Sequence, residues 1–184
     1  MDPQAVIAAT RRWIAEMVIG LNLCPFARRV FEADKIRYVV SLATAEDQLL
    51  KDLAAELESL AAAPIATVET TLLIHPGVLG NFLDYNDFLG AADRLLAQLG
   101  LRSVVQIASF HPAYQFAGAD PDAPENYTNR SPYPMLHLLR EESITAVAGD
   151  PNELLEIPRR NIETLQRLGI RKIVTMLAEL GRNI

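Results

Sequence analysis

The sequence has 184 residues, of which 50% are hydrophobic, and it carries a formal net charge of −6. A chain of this length buries roughly two-thirds of its unfolded surface, so we expect a single domain over 1–184 with a packed core. The negative charge and the lack of a Lys or Arg run exclude nucleic acid as the expected partner, because phosphate neutralisation supplies most of such binding.

The sequence also indicates the cellular compartment. No apolar run approaches the roughly 18 residues of a membrane-spanning helix, and the first residues do not resemble a cleavable signal. One cysteine cannot form an internal disulfide, which suits a reducing cytoplasm. We therefore expect a cytoplasmic protein without a membrane partner, and the composition leaves a homo-oligomer open.

Hydrophobic periodicity divides the first two-thirds of the chain into helices and strands. An N-terminal helix is predicted over 2–20, started by Asp2 and Pro3 and ended by Gly20. The predicted elements then alternate, with strands over 36–42, 67–74 and 103–110 and helices over 44–63 and 81–99 between them.

The order β-α-β-α-β favours parallel strands. It predicts an α/β fold with a small, mostly parallel three-stranded sheet, an N-terminal helix and a helical C-terminal third. Pro134 is predicted to open a helix carrying His137, Arg140 and Glu141 on its polar face, and Pro158 to begin a later one. A ferredoxin-like fold is the alternative, but no hairpin strand is evident between 75 and 84.

The connection from His111 to Pro134 is long for a small domain, and it is rich in proline and aromatic residues. Long connections inside compact domains are usually functional or disordered. Disordered segments are poor in aromatic residues, so this connection is predicted to be an ordered binding loop.

Five segments carry a resemblance to a known family. They are NLCPFA (22–27), LIHP (73–76), DYNDFL (84–89), FHPAYQFAG (110–118) and NYTNRSPYPMLHLLREES (126–143). Over nearly its whole length the chain resembles a bacterial family of proteins of about this size, catalogued as a domain of unknown function. The resemblance implies a cytoplasmic bacterial protein with these segments as its signature, and it implies no activity.

The three histidines are the first candidates for catalysis. His75 and His111 end predicted strands, and ligands of parallel α/β sheets bind outside those ends. His137 lies on the predicted helix after the loop, which can fold over the strand ends. A neutral imidazole serves near physiological pH as acid, base or metal ligand. The alternative is that the His-Pro pairs only terminate strands and that the imidazoles bind loop carbonyls.

A metal site would combine the three histidines with Asp84 or Asp87 and leave a position open for water. The sequence has no HxH, HExxH or CxxC spacing, so it assigns neither a metal nor a cofactor.

Cys24 is a candidate nucleophile. Pro25 suits the first position of a helix and would place Cys24 at the N-cap, where backbone N–H groups lower a thiol pKa. The alternative is a small buried hydrophobic residue.

The polar and aromatic residues around the loop form the predicted ligand-binding set, which comprises Arg130, Asn129, Asn126, Tyr114, Tyr133 and Arg140. The planar guanidinium of Arg130 suits a carboxylate or phosphate. Arg140 is a second clamp or the partner of a neighbouring glutamate, and the asparagines alternatively fix turns.

These features lead to three hypotheses. The first is a small enzyme that acts on a small anionic metabolite by acid/base or hydrolytic chemistry, with Arg130 as the anion clamp. The second is a non-catalytic module that binds a ligand or peptide with the 111–134 loop. The third makes that loop a dimer contact.

Overall fold

Four strands form one mixed sheet in the computed structural model, which describes residues 1–147 and 151–182. The strands are β1 (Ile36–Val40), β2 (Thr70–Ile74), β3 (Val105–Phe110) and β4 (Met135–Arg140), in the order β1-β2-β4-β3. β1 and β2 are parallel, and β4 is antiparallel to both of its neighbours. The predicted α/β class is confirmed, but the mostly parallel three-stranded sheet is wrong because β4 lies between β2 and β3.

The segment after Pro134 is a strand, so the prediction of a helix carrying His137, Arg140 and Glu141 is wrong. A strand places successive side chains on opposite faces, so Leu136 and Leu138 point to one face of the sheet and His137 to the other. β4 is central, and strands covered on both faces read as continuous apolar runs that resemble a buried helix in sequence.

Seven α-helices, a π-helical segment and a 3₁₀ turn complete the described part. They are α1 (Pro3–Trp13), the π-helical segment (Ile14–Ile19), α2 (Ala27–Glu32), α3 (Glu46–Ala62), α4 (Phe82–Gln98), the 3₁₀ turn (Pro124–Thr128), α5 (Glu141–Val147), α6 (Pro151–Leu168) and α7 (Ile170–Arg182). The Asp2 carboxylate accepts a hydrogen bond from the Gln4 N–H at 3.0 Å, which confirms the predicted start of α1.

Helices cover both faces of the sheet. α3 and α4 pack on one face around Leu53, Tyr85 and Leu138. α1, the π-helical segment, α6 and α7 contribute to the core on the other face, which includes Trp13 and Met135. All five residues of β2 are consequently buried.

The described residues after β4 form α5, α6 and α7, but β4 itself lies in the C-terminal third, so the predicted helical C-terminal third is only partly confirmed. α6 begins at Pro151 and contains Pro158 in its interior, so the prediction that Pro158 begins a helix is wrong. Gly169 separates α6 from α7 with φ at 79°, a left-handed conformation that glycine adopts without steric cost. In the two described ranges, no helix combines the length and apolar character needed to cross a membrane.

Candidate functional site

His75 and His111 lie at one edge of the sheet. His75 follows β2 and His111 follows β3, and these strands run in the same direction because both are antiparallel to β4. Both rings pack against Tyr85 of α4, with centroid distances of 5.8 Å for His75 and 5.1 Å for His111. The two histidines therefore meet at the predicted edge, while their catalytic role stays a prediction.

Backbone groups hold both imidazoles. His111 Nδ1 accepts from the Ala113 N–H at 3.0 Å, so Nε2 carries the proton and donates to the Leu79 carbonyl at 3.1 Å. His75 Nδ1 donates to the Val78 carbonyl at 3.1 Å, and its Nε2 is buried without a hydrogen-bond partner among residues 1–147 and 151–182. Burial lowers the pKa of His75 to about 4 and also lowers the pKa of His111, so both rings are neutral at pH 7.

Tyr85, which sequence reasoning did not single out, ties this edge together. Its hydroxyl donates to the Met135 carbonyl at 2.9 Å and accepts from the Phe110 N–H at 3.0 Å. Phe110 and Met135 are partners at the end of the β3–β4 ladder. The phenol thus bridges two backbone groups where the sheet ends, and burial raises its pKa.

The 111–134 loop is ordered by its own polar side chains. Asn126 accepts from the Phe116 N–H at 3.0 Å and donates to the Asp120 carbonyl at 2.8 Å. Asn129 donates to the Ser109 carbonyl at 3.0 Å, which anchors the loop to β3. These bonds correspond to the alternative in which the asparagines fix turns.

Arg130 is bonded within the same loop. Its Nε donates to the Tyr114 carbonyl at 3.0 Å and its Nη2 to the Pro121 carbonyl at 2.8 Å. The guanidinium carbon lies 4.3 Å from the centre of the Tyr127 ring. Arg130 and Tyr133 also line an open depression of about 430 Å³ beside α7. Two of the guanidinium nitrogens that would bind an anion, Nε and Nη2, are therefore bonded to loop carbonyls.

The remaining predicted ligand-binding residues are dispersed. The Tyr114 ring packs on Phe82 of α4, with centroids 5.2 Å apart. Arg140 is 4% exposed and donates to the carbonyls of Ala63 and Val68, so it anchors the segment between α3 and β2. The structure does not bring Arg140 to the loop.

A cavity lies on the sheet face opposite α3 and α4. We call this cavity of about 330 Å³ the sheet pocket. Its floor is formed by side chains of three strands, namely Thr70, Leu72, Gln106, Ala108, Phe110 and His137. Most of its walls are apolar, a character typical of small-molecule sites.

The other wall comes from the N-terminal region. Trp13, Ile14 and Val18 line it from the end of α1 and the π-helical segment, and Trp13 Nε1 donates to the Arg130 carbonyl at 3.1 Å. Short π-helical segments often occur at functional sites. The indole is therefore held in place where it faces the pocket.

Cys24 and the Arg29–Glu69 pair also line the sheet pocket. The prediction that Cys24 caps a helix beginning at Pro25 is wrong, because α2 begins at Ala27. Burial raises the pKa of the Cys24 thiol, although nearby backbone N–H groups oppose this shift, so the expected lowering of the pKa is also wrong. Arg29 and Glu69 form a two-pronged ion pair, with Nη1 3.0 Å from Oε2, that ties α2 to the start of β2.

His137 is the histidine of the sheet pocket. Its Nε2 lies 2.7 Å from the Thr70 hydroxyl, which lies 2.6 Å from the Leu138 carbonyl. A hydroxyl has one proton, and the carbonyl requires it, so Nε2 carries the imidazole proton and Nδ1 keeps a free electron pair. Burial lowers the pKa of His137 to about 4, and the ring is neutral at pH 7.

The predicted metal set is not assembled. His137 lies across the sheet from His75 and His111, while Asp84 and Asp87 are exposed on α4. Within residues 1–147 and 151–182, no three His, Cys, Asp or Glu side chains are close enough to share a metal ion.

Sequence reasoning missed most of the sheet pocket. Trp13, Thr70, Gln106, Arg29 and Glu69 were given no functional role by the sequence analysis. The signal that could have found Thr70 is a pair of threonines opening the otherwise apolar strand TTLLI. The Thr70 hydroxyl is bonded to the Leu138 carbonyl and to His137, whereas the Thr71 hydroxyl is buried without a partner among the described residues.

The chain belongs to the family described as Protein of unknown function (DUF1415), whose model matches residues 5–175. This confirms the resemblance to a domain of unknown function. Neither the search of curated proteins nor the search of solved structures found a match.

Proposed function

We propose that this member of the family is a small-molecule-binding protein whose ligand occupies the sheet pocket. The observation that carries the proposal is the cavity of about 330 Å³ between the sheet and the N-terminal helices. Ligand sites are typically concave, mostly apolar and about 300–1,000 Å³ in volume, with a few polar groups that orient the ligand. The sheet pocket has this character, and His137, Thr70 and Gln106 supply the polar groups.

The sheet pocket supports binding better than the 111–134 loop does. Asn126, Asn129 and Arg130 direct hydrogen bonds to backbone atoms of the loop and of β3. A ligand at the loop would have to compete with these bonds. In the sheet pocket, Nδ1 of His137 forms no hydrogen bond with any residue that the structure describes.

Catalysis in the same pocket is the second candidate. Cys24 and His137 both line this cavity, which favours the predicted acid/base or hydrolytic chemistry there. The neutral imidazole would act as the base through Nδ1. Hydrolysis of p-nitrophenyl acetate that falls to the uncatalysed rate in both Cys24→Ser and His137→Phe would support it. Equal hydrolysis by all three proteins would count against it.

Trp13 provides a direct test of binding. It is the only tryptophan of the chain and it lines the pocket, so its fluorescence reports occupancy. We expect the apolar probe indane to change Trp13 emission in a saturable way. Bound ligand also stabilises the folded state, by about 2.7 kcal/mol at a free concentration of 100 times Kd.

A pocket-filling variant and a matched control locate the binding. Ala108 lies on the pocket floor, so Ala108→Leu should weaken indane binding at least about tenfold by occupying the same volume. Ala97→Leu adds the same side chain at an exposed position of α4 and should leave binding unchanged. Indane binding that is insensitive to Ala108→Leu, or no change of Trp13 emission at all, would refute the proposal.

The compartment and partners belong to the same proposal. We place the protein in the cytoplasm because its single cysteine, Cys24, is a free thiol of the kind that a reducing compartment preserves. The proposed partner is a small molecule, and the net charge of −6 disfavours nucleic acid.

A further inference from the structure

The His137–Thr70 pair on the floor of the sheet pocket is arranged to accept a hydrogen bond. The Thr70 proton is directed at the Leu138 carbonyl and the His137 proton at the Thr70 oxygen, with distances of 2.6 Å and 2.7 Å. Both of these donors, the Thr70 hydroxyl and the His137 Nε2–H, are therefore already bonded to protein atoms. The lone pair on His137 Nδ1 remains available to accept a hydrogen bond from a ligand.

Positive charge at the pocket is neutralised. Arg29 is the only Lys or Arg among the described residues that line it, and both of its terminal nitrogens bind the Glu69 carboxylate. The imidazole adds no charge at pH 7, since burial lowers its pKa. An anion entering this pocket would lose its hydration without gaining an unpaired cation, which is costly.

The volume limits the size of the ligand. A cavity of about 150 Å³ lined by apolar side chains is enough to bind benzene. The sheet pocket, at about 330 Å³, has roughly twice that volume and matches a molecule with two fused rings or an equivalent branched skeleton.

We infer that the sheet pocket takes a neutral, largely apolar molecule of about two fused rings that carries a hydroxyl or N–H group and donates it to His137 Nδ1. This inference rests on the proposed function, since it names the class of ligand for the same site. Gln106 and Ser143 also line the pocket. The Gln106 amide and the Ser143 hydroxyl, which is buried without a partner among the described residues, both donate and accept, so they do not discriminate between donors and acceptors. The discrimination comes from His137.

Three probes with one skeleton test the inference. 2-Indanol offers a hydroxyl donor, 2-indanone offers only an acceptor, and indane-2-carboxylate is an anion. Their affinities are measured at pH 7 through Trp13 fluorescence on the full chain. We expect 2-indanol to bind about tenfold more tightly than 2-indanone, because its hydroxyl gains a hydrogen bond that the ketone cannot form. The carboxylate should bind most weakly.

The His137→Phe variant provides the comparison within the pocket. Phenylalanine keeps a ring of similar size and removes both nitrogens, while Thr70 retains its bond to the Leu138 carbonyl. We expect the variant to bind 2-indanol and 2-indanone equally. On the wild-type protein, in which all three imidazoles are neutral, ¹⁵N NMR should show three unprotonated imidazole nitrogens. The resonance that is absent from His137→Phe should move when 2-indanol is added.

The outcomes separate the inference from the function on which it rests. A preference for 2-indanol that disappears in His137→Phe supports the inference. Equal wild-type affinities for the alcohol and the ketone, a preference that persists in His137→Phe, or tightest binding of the carboxylate would overturn it and leave the binding function standing. Failure of indane and of all three probes to change Trp13 emission would overturn both.

Discussion

The buried imidazole of His75 predicts a specific sensitivity to acid. His75 is 0% exposed, its Nε2 has no partner among the described residues, and burial lowers its pKa from 6.5 to about 4. The variant His75→Phe keeps a ring to pack on Tyr85 and removes both titratable nitrogens. It also removes the hydrogen bond to the Val78 carbonyl, so at pH 7 we expect a loss of about 1 kcal/mol.

The effect of pH has a definite sign and size. Above pH 6.5 the ring is neutral in the folded and unfolded states and contributes no pH dependence. Between pH 6.5 and about 4 the unfolded chain binds a proton that the folded chain does not, so the free energy of unfolding falls as the pH falls. Integrating this difference from pH 7 to pH 5 gives a loss of about 2 kcal/mol for the wild-type protein through His75 alone.

Urea unfolding at pH 7, 6 and 5, followed by circular dichroism, measures this contribution. The wild-type protein should lose about 2 kcal/mol more than His75→Phe between pH 7 and pH 5. The other titratable groups, including His111 and His137, are common to both proteins, so their contribution cancels. Tyr133→Phe, which removes no imidazole, should follow the wild-type curve. Parallel curves for wild type and His75→Phe would refute the assigned burial of the neutral ring.

Two further predictions concern Tyr85 and Cys24. Tyr85→Phe leaves the buried Phe110 N–H and Met135 carbonyl without their partner and should lower the free energy of unfolding by about 2–4 kcal/mol in urea titrations; a loss below about 0.5 kcal/mol would contradict the bridge. Cys24 should react slowly with iodoacetamide at pH 7, with a rate that rises only above the pH range of an ordinary thiol, because burial raises its pKa. Rapid alkylation at pH 7 that indane does not slow would place the thiol outside the sheet pocket.

The sequence was sufficient where local periodicity and tertiary structure agree. Up to Phe110 the helices follow from period-3.6 patterns and the strands from runs of β-branched and aromatic residues, and Asp2 and Pro3 mark the start of α1 as predicted. The edge shared by His75 and His111 was also predictable, because each histidine directly follows a strand. These features depend on residues that are close together in the chain.

The order of the sheet and the position of the sheet pocket were not predictable in this way. MLHLLR is rich in leucine, which favours helices, and only its insertion between β2 and β3 makes it a strand. That insertion moves His137 to the face opposite His75 and His111. The pocket then combines Trp13, Cys24 and His137 from distant parts of the chain, which local spacing does not relate.

The sequence around Arg130 fits two different roles, namely binding an anion and ordering the loop. A guanidinium surrounded by prolines suits an anion, yet in the fold its Nε and Nη2 donate to the Tyr114 and Pro121 carbonyls at 3.0 Å and 2.8 Å. If these bonds order the loop, Arg130→Ala should lower the free energy of unfolding by about 2 kcal/mol, a value reduced for the partial exposure of the side chain. Hydrogen exchange of the loop amides over 112–128 should rise together with this loss.

Arg102→Ala is the matched control, because Arg102 forms an exposed ion pair with Asp93 at 2.6 Å and its removal should cost less than about 1 kcal/mol. Arg102→Ala should also leave exchange in the loop unchanged. If Arg130→Ala instead left stability and loop exchange as in the wild-type protein and abolished binding of inorganic phosphate, the guanidinium would be an anion clamp. The loop would then be held by Asn126 and Asn129, whose bonds to the Asp120 and Ser109 carbonyls do not involve Arg130.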